Sequence, residues 1–354
     1  MKKGIIYFVC TLFVLITSCS NEKSARGINV ETESIKASVL KMNSHELMGV
    51  EHVIIDRDYM ITAHRGTDSL MKVFERSTGE FLGDIASIGY GPTEYTGVEY
   101  RTIDSANDGL VFMEASSNQI INMNIASESG MLVSAKSKVT QIPLNTQFTN
   151  EMIVFGDSLV IGHSNSDLMN TQLFTYDMQT DEIHEFLDYP EDLPVKLTSP
   201  AEYELYFKKL VAHPTEDKFA VLYNKFDKVY IYDTKLNLKN ESGSLDARRI
   251  VKNNGDIYHE KAYNFNLSVV TTDKHIIGLY TGKTNLEMKM IPVNKMMDLK
   301  TKAIIWDWEG NMVKEVIFDR TISHIATDNE RKALIGLSPY IADEIYIYDL
   351  AELF

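Results

Sequence analysis

The stretch VYIYDTKLNL, residues 229–238, alternates apolar and polar side chains, closes on Asp233 and enters a second short apolar run. That is how a β-hairpin reads. Aligned on the closing polar residue, the same unit recurs as LMKVFERSTGEFLGDI, QIINMNIASESGMLV, LFTYDMQTDEIHEF, AIIWDWEGNMVKEVIF and EIYIYDLAELF. The closing residues are Glu75, Asn124, Asp177, Asp233, Asp307 and Asp349, separated by 42 to 74 residues. A second marker keeps the same register, an acidic turn followed by a short apolar strand. It runs Asp58 before YMITA, Asp108 before GLVFM, Asp157 before SLVIG, Asp217 before KFAVL, Asp273 before KHIIG, and Glu330 ahead of ALIGL.

Internal repeats at this period signal propeller or solenoid architectures. An inner strand, the acidic turn, a second strand and the closing hairpin make one four-stranded blade. Six such units predict an all-β, six-bladed β-propeller, which leaves only short sheet edges. A seven-bladed ring and a pair of β-sandwiches account less well for six in-phase repeats of two markers. The last unit stops at Phe354 after its third strand, so Ile28 to Val39 are expected to supply the missing outer strand and close the ring. The closing aspartates are expected to terminate strands and hydrogen-bond their own turns. Helix is scarce: SPAEYELYFKKLV from Ser199 is the best segment, with Ser199 as N-cap, Pro200 first and Glu202 third.

The chain has 354 residues, 44% hydrophobic, with a formal net charge of −15 and a pI near 5.1. It can bury a large core. The acidic balance argues against a nucleic-acid or anionic-membrane surface, since phosphate binding needs clustered Lys and Arg. The N-terminus, MKKGIIYFVCTLFVLITSCSNEK, places two lysines before an apolar run of signal-peptide length, too short to span a bilayer. Leu15, Ile16, Thr17, Ser18 and Cys19 then look like a bacterial lipobox. The expected organisation is a lipoprotein signal peptide over 1–18, a lipidated Cys19 with a polar tether over 19–27, and the propeller over 28–354. Cys10 leaves with the signal, so no disulfide, thiolate zinc site or cysteine nucleophile is expected.

Downstream of the first hairpin, Gly89-Tyr90-Gly91-Pro92-Thr93-Glu94-Tyr95 resembles the G-x-G-P-x-E-[YF] signature of TolB-like six-bladed β-propeller lipoproteins of Bacteroidetes. Thr93 stands where that family usually has glycine. The resemblance implies fold and envelope location rather than an activity. Gly89 and Gly91 are expected to supply positive φ and Pro92 a fixed turn, giving a rigid connector between blades. A dinucleotide fingerprint does not fit, since the third glycine and the following helix are missing.

In a propeller the second strands return to the upper face, where the blade connectors also lie. Candidate ligand-binding residues there are His64, Glu114, His163, Tyr280, Glu94, Tyr95, Tyr100, Arg101 and His324, with Asn224, Tyr340, Tyr203, Lys208, His259, Tyr263 and Asn264 on the same face. Aromatic faces mixed with polar groups suit a sugar or a peptide. Arg101 is the strongest candidate, placed to clamp a carboxylate or to neutralise Glu94. The blade 5 insertion KTNLEMKMIPVNKMMDLK carries Met288, Met290, Met296 and Met297, adaptable side chains suited to a partner-binding loop; a β-hairpin extension is the other reading.

Catalytic patterns are weak. HELMG at His45 and HEFLD at His184 carry Gly49 and Asp188 where a zinc-protease helix needs its second histidine, and no G-x-S-x-G elbow occurs. His163 and Ser164 are adjacent, pointing to opposite faces of a strand. No cofactor and no metal site are expected. The sequence therefore reads as an envelope lipoprotein that binds an envelope protein, glycan or peptide. The alternative is a carbohydrate- or peptide-active hydrolase or lyase working from the upper funnel.

Overall fold

In the computed structural model, described over residues 32–42, 46–91, 94–106, 109–114, 116–128, 131–143, 146, 149–156, 158–164, 169–193 and 195–354, six small sheets form a propeller. Blade 1 is Val50–Asp56, Tyr59–His64, Ser69–Glu75 and Phe81–Ser87; blade 2 is Val98–Ala106, Gly109–Glu114, Gln119–Glu128 and Met131–Gln141. Blade 3 is Thr149–Phe155, Leu159–Ser164, Leu173–Asp177 and Glu182–Phe186; blade 4 is Lys208–Ala212, Lys218–Tyr223, Val229–Asp233 and Leu238–Ser242. Blade 5 comprises Val269–Thr271, His275–Tyr280, Lys302–Asp307 and Met312–Phe318, and blade 6 His324–Asp328, Ala333–Leu337 and Glu344–Asp349. Each inner strand touches the inner strands of both neighbouring blades, and blade 6 meets blade 1. The ring is closed.

The N-terminal segment closes the ring, but not in the expected register. Ser38–Lys41 pairs antiparallel with Glu344–Asp349 as the fourth strand of blade 6. Thr32–Ile35 instead adds a fifth strand to blade 5, parallel to Met312–Phe318. The one segment thus joins two blades, because Ala37 N–H donates to Asp319 Oδ1 at 3.1 Å where the chain crosses between them. The leader, Cys19 and the tether lie outside the described residues.

Burial explains why the inner three strands of a blade read as nearly continuous apolar runs. Side chains alternate across a strand, and both faces of each blade are covered by neighbours. Ile276 and Ile304 pack toward blade 4, whereas Ile277 and Ile305 pack toward blade 6. Six hydrophobic clusters result, one in each interface between consecutive blades, the last joining Ile335 and Leu337 of blade 6 to Val53 and Phe74 of blade 1.

The closing acids cap their own turns as expected. Asp233 Oδ1 accepts from the Lys235 and Asn237 backbones at 3.0 and 2.9 Å, and Asp307 Oδ1 from Glu309 and Asn311 at 3.1 and 2.7 Å. The helix forms over Ser199–Leu205, with Thr198 rather than Ser199 at the N-cap and no side-chain cap bond. The glycine connector departs from expectation in its cause. Neither Gly89 nor Gly91 has positive φ; a Cβ on Gly89 would collide with the Glu94 carboxylate. These glycines make room for the Glu94 carboxylate, which folds back to accept from Gly91 N–H at 2.8 Å. Pro92 and Thr93 lie outside the described residues, as do His45, Asp108 and Asp157.

Candidate functional site

Inner strands all begin at one end of the ring, the upper end, and five of them deliver charged or titratable groups there. Glu151 comes from blade 3, Lys209 from blade 4, Glu99 and Arg101 from blade 2, His52 from blade 1 and His324 from blade 6. The Lys209 ammonium donates to Glu151 Oε1 at 2.6 Å, and Arg101 Nε stands 4.0 Å from the same oxygen. Arg101 also lies over the Phe207 ring, 5.2 Å from its centre, with Lys209 at 5.9 Å.

These groups also act on one another through their charges. Desolvation pushes the Glu151 carboxyl up to about 7, against the pull of Lys209 and Arg101. Burial holds His52 down at about 3, with further depression by the charges of Lys209 and His324. His324 is lowered to about 4 by burial and then by Lys209. Glu99 is raised by desolvation, with Arg101 and Lys209 acting against the shift. Lys209 on blade 4 therefore bears on His52 of blade 1, its diametric opposite in a six-membered ring. Its ammonium acts as the hub of the opening.

An aromatic wall flanks the hub. Tyr203, from the helix on the connector between blades 3 and 4, stacks on His163 at 4.6 Å and meets Phe207 edge-on at 5.9 Å. Lys208 points the opposite way from Lys209, as strand alternation requires. Its fully buried Nζ sits 3.3 Å from His163 Nε2 and over the Tyr223 ring. Burial drives both Lys208 and His163 well below their ordinary pKa values, against the pull of Glu151 on Lys208.

Of the residues singled out from sequence, Arg101 and His324 reach the opening, and His163 stands behind its aromatic wall. Four are held within or between blades by packing. Tyr95 is 1% exposed, edge-on to Phe112 and covered by Lys136. His64 is buried between Thr62 Oγ1 and the Met48 carbonyl. The Glu114 carboxylate accepts from Thr96 N–H and Oγ1 and from Ser117, fastening a connector. Tyr280 is buried and donates to Glu315. Glu94 serves the glycine connector, so Arg101 pairs with Glu151 instead; Tyr100 lies on the rim under Arg65.

Glu151, Lys209, His52 and Glu99 escaped the sequence reading because it searched strand ends and connectors. The available signal was a charged or histidine residue one to three places into an inner strand, repeated in five units. Among the described residues no cluster of three or more His, Cys, Asp or Glu is arranged to hold a metal ion. No helix among them is long and apolar enough to cross a membrane.

Fold and site together define a six-bladed β-propeller with a charged, aromatic-walled upper opening. No family model matches the chain, and no curated protein does. Solved structures do. One is a member of the DUF4221 family from Bacteroides vulgatus ATCC 8482, 8% identical, with a TM-score of 0.56 over 88% of this chain and 96% of that one. Another is a protein classed as exported from Bacteroides fragilis NCTC 9343, 10% identical, with a TM-score of 0.53 over 90% and 98% of the two chains. At such identities the similarity shows the fold, and it does not single out the TolB-like family.

Proposed function

We propose that the protein is an exported, lipid-anchored envelope propeller of TolB-like type that captures a carboxylate-bearing ligand, an acidic sugar or a peptide, at its upper opening. The observation that carries this reading is the convergence of Arg101, Glu151 and Lys209 from three blades beside the Phe207 and Tyr203 rings. Arg101 keeps 41% of its side chain exposed, and its fork can take a carboxylate in place of Glu151, whose own charge is only half developed near neutrality. The rings offer an apolar face to a sugar or side chain. Location is supported by the lipobox-like run ending at Cys19 and by the exported description of the Bacteroides fragilis protein.

The test is a panel of acidic and neutral oligosaccharides and peptides. Acidic members bind the intact protein, more weakly at high salt, and Arg101→Ala lowers that affinity about tenfold or more, as loss of a charged hydrogen bond implies. Preference for neutral members, or binding indifferent to Arg101→Ala, contradicts the assignment. A hydrolase or lyase acting on the same ligand is the second reading, supported by a Glu151 carboxyl poised near neutral pH between two cations. Turnover of bound ligand that disappears in Glu151→Gln while binding persists would establish it.

A further inference from the structure

Between Tyr280 and Lys302, blade 5 carries an insertion that forms two short helices, Asn285–Lys289 and Val293–Met296, and not a β-hairpin. Thr284 and Glu287 form a reciprocal capping box at its start. Both ends are fastened to upper-face connectors: Asn285 N–H donates to the Ala262 carbonyl at 3.0 Å, and Thr321 Oγ1 to the Met297 carbonyl at 2.9 Å. Yet Leu286, Met290, Val293 and Met297 are 49%, 73%, 85% and 53% exposed. No other stretch of comparable length gathers four exposed large hydrophobics among the described residues. A platform so well tied, presenting apolar tips outward, calls for something to cover them.

Charge selects the occupant. Residues 283–300 hold Lys283, Lys289, Lys295 and Lys300 against Glu287 and Asp298, a positive island on a chain of net charge −15. An anionic surface repels the rest of the molecule and admits this segment. Chain geometry agrees. Thr32–Ile35 lies on the outer edge of the same blade, and the twelve residues between Cys19 and Thr32 reach up to about 40 Å when extended. A six-residue strand spans only about 20 Å, so the insertion is within reach of a bilayer holding Cys19.

We propose that the 284–300 insertion is a membrane-contact platform, with Met290, Val293 and Met297 entering the acyl boundary and Lys289 and Lys300 meeting anionic lipid headgroups. The reach, though not the surface chemistry, rests on the lipid-anchor reading. Blade 5 supplies none of the charged groups named at the opening.

The test uses the full chain carrying Val293→Trp, with phosphatidylcholine vesicles containing brominated acyl chains, with and without phosphatidylglycerol. The native Trp306 and Trp308 are 1% and 4% exposed and report little. Val293→Trp emission is expected to shift to the blue and fall about twofold in phosphatidylglycerol vesicles, less in phosphatidylcholine alone. Leu82→Trp on blade 1 stays unquenched, and adding Lys289→Glu with Lys300→Glu restores the Val293→Trp emission. Mass measurement of the mature N-terminus reports Cys19 acylation separately. Vesicle-bound protein with Val293→Trp unquenched, or quenched no more than Leu82→Trp, overturns the proposal whether or not Cys19 is acylated, and points to a soluble protein partner instead.

Discussion

Replacing Glu151 by glutamine makes stability rise with pH more steeply than in the wild type, by about 1 kcal/mol per pH unit between roughly pH 5 and 6.5. The sign follows from which state holds more protons. The Glu151 carboxyl moves from 4.5 in the unfolded chain to about 7 in the native one, so the native state holds the extra proton and stability falls as pH rises through that window. Asp104, desolvated and raised from 3.8 to about 6, acts in the same direction. His52 and His324 move from 6.5 down to about 3 and about 4; there the unfolded chain holds the extra protons and stability rises with pH. Two groups oppose two others across the window. Glutamine removes one of the opposing acids while still accepting from Lys209, and every other titrating group is common to both proteins. Urea midpoints of the two proteins at several pH values give the difference. Parallel curves would contradict the assigned burial of Glu151.

Removing residues 32–41 lowers the thermal midpoint by on the order of 10 °C and promotes self-association, the largest stability effect expected of any change at the periphery. Several losses combine. Ile35, 3% exposed, leaves the cluster it shares with Phe318 and Tyr348. Two strand pairings disappear. Asp319 loses its bonds to Ala37 N–H and to the Ile35 carbonyl. What remains is an open edge at Glu344–Asp349 carrying Ile345, Tyr346 and Tyr348, a template for pairing with a second copy. Thermal unfolding with size-exclusion chromatography checks this. An unchanged midpoint and elution volume would show that the N-terminal segment does not close the ring.

The blade repeat was legible because its markers are local. An acid such as Asp233 caps the turn that follows it within four residues, and that requirement is written into each unit separately. The two-sided burial of each blade likewise leaves runs such as HIIGLY and AIIW. The closing strand was harder to place, since Thr32–Ile35 and Ser38–Lys41 carry similar short patterns. Only the pairing partners distinguish them, and these lie about 300 residues away. For the same reason Glu94 could not be separated from Arg101 by inspection: its carboxylate serves Gly91, three residues away, while Arg101 reaches across to blade 3. The opening itself is a product of ring closure. The charge of Lys209 bears on His52 and His324 only because blades 4, 1 and 6 surround one axis, and no spacing in the chain encodes that coupling.

The account rests on Lys209 as the hub of charged groups drawn from five blades, and proton NMR titration of the histidine rings tests it most directly. The expected result is His52 titrating near 3 and His324 near 4, both moving upward in Lys209→Met because a neighbouring positive charge has gone, while His64, depressed by burial and without Lys209 among its neighbours, stays where it was. Ordinary titration of His52 and His324 near 6.5, or indifference of both to Lys209→Met, would contradict it.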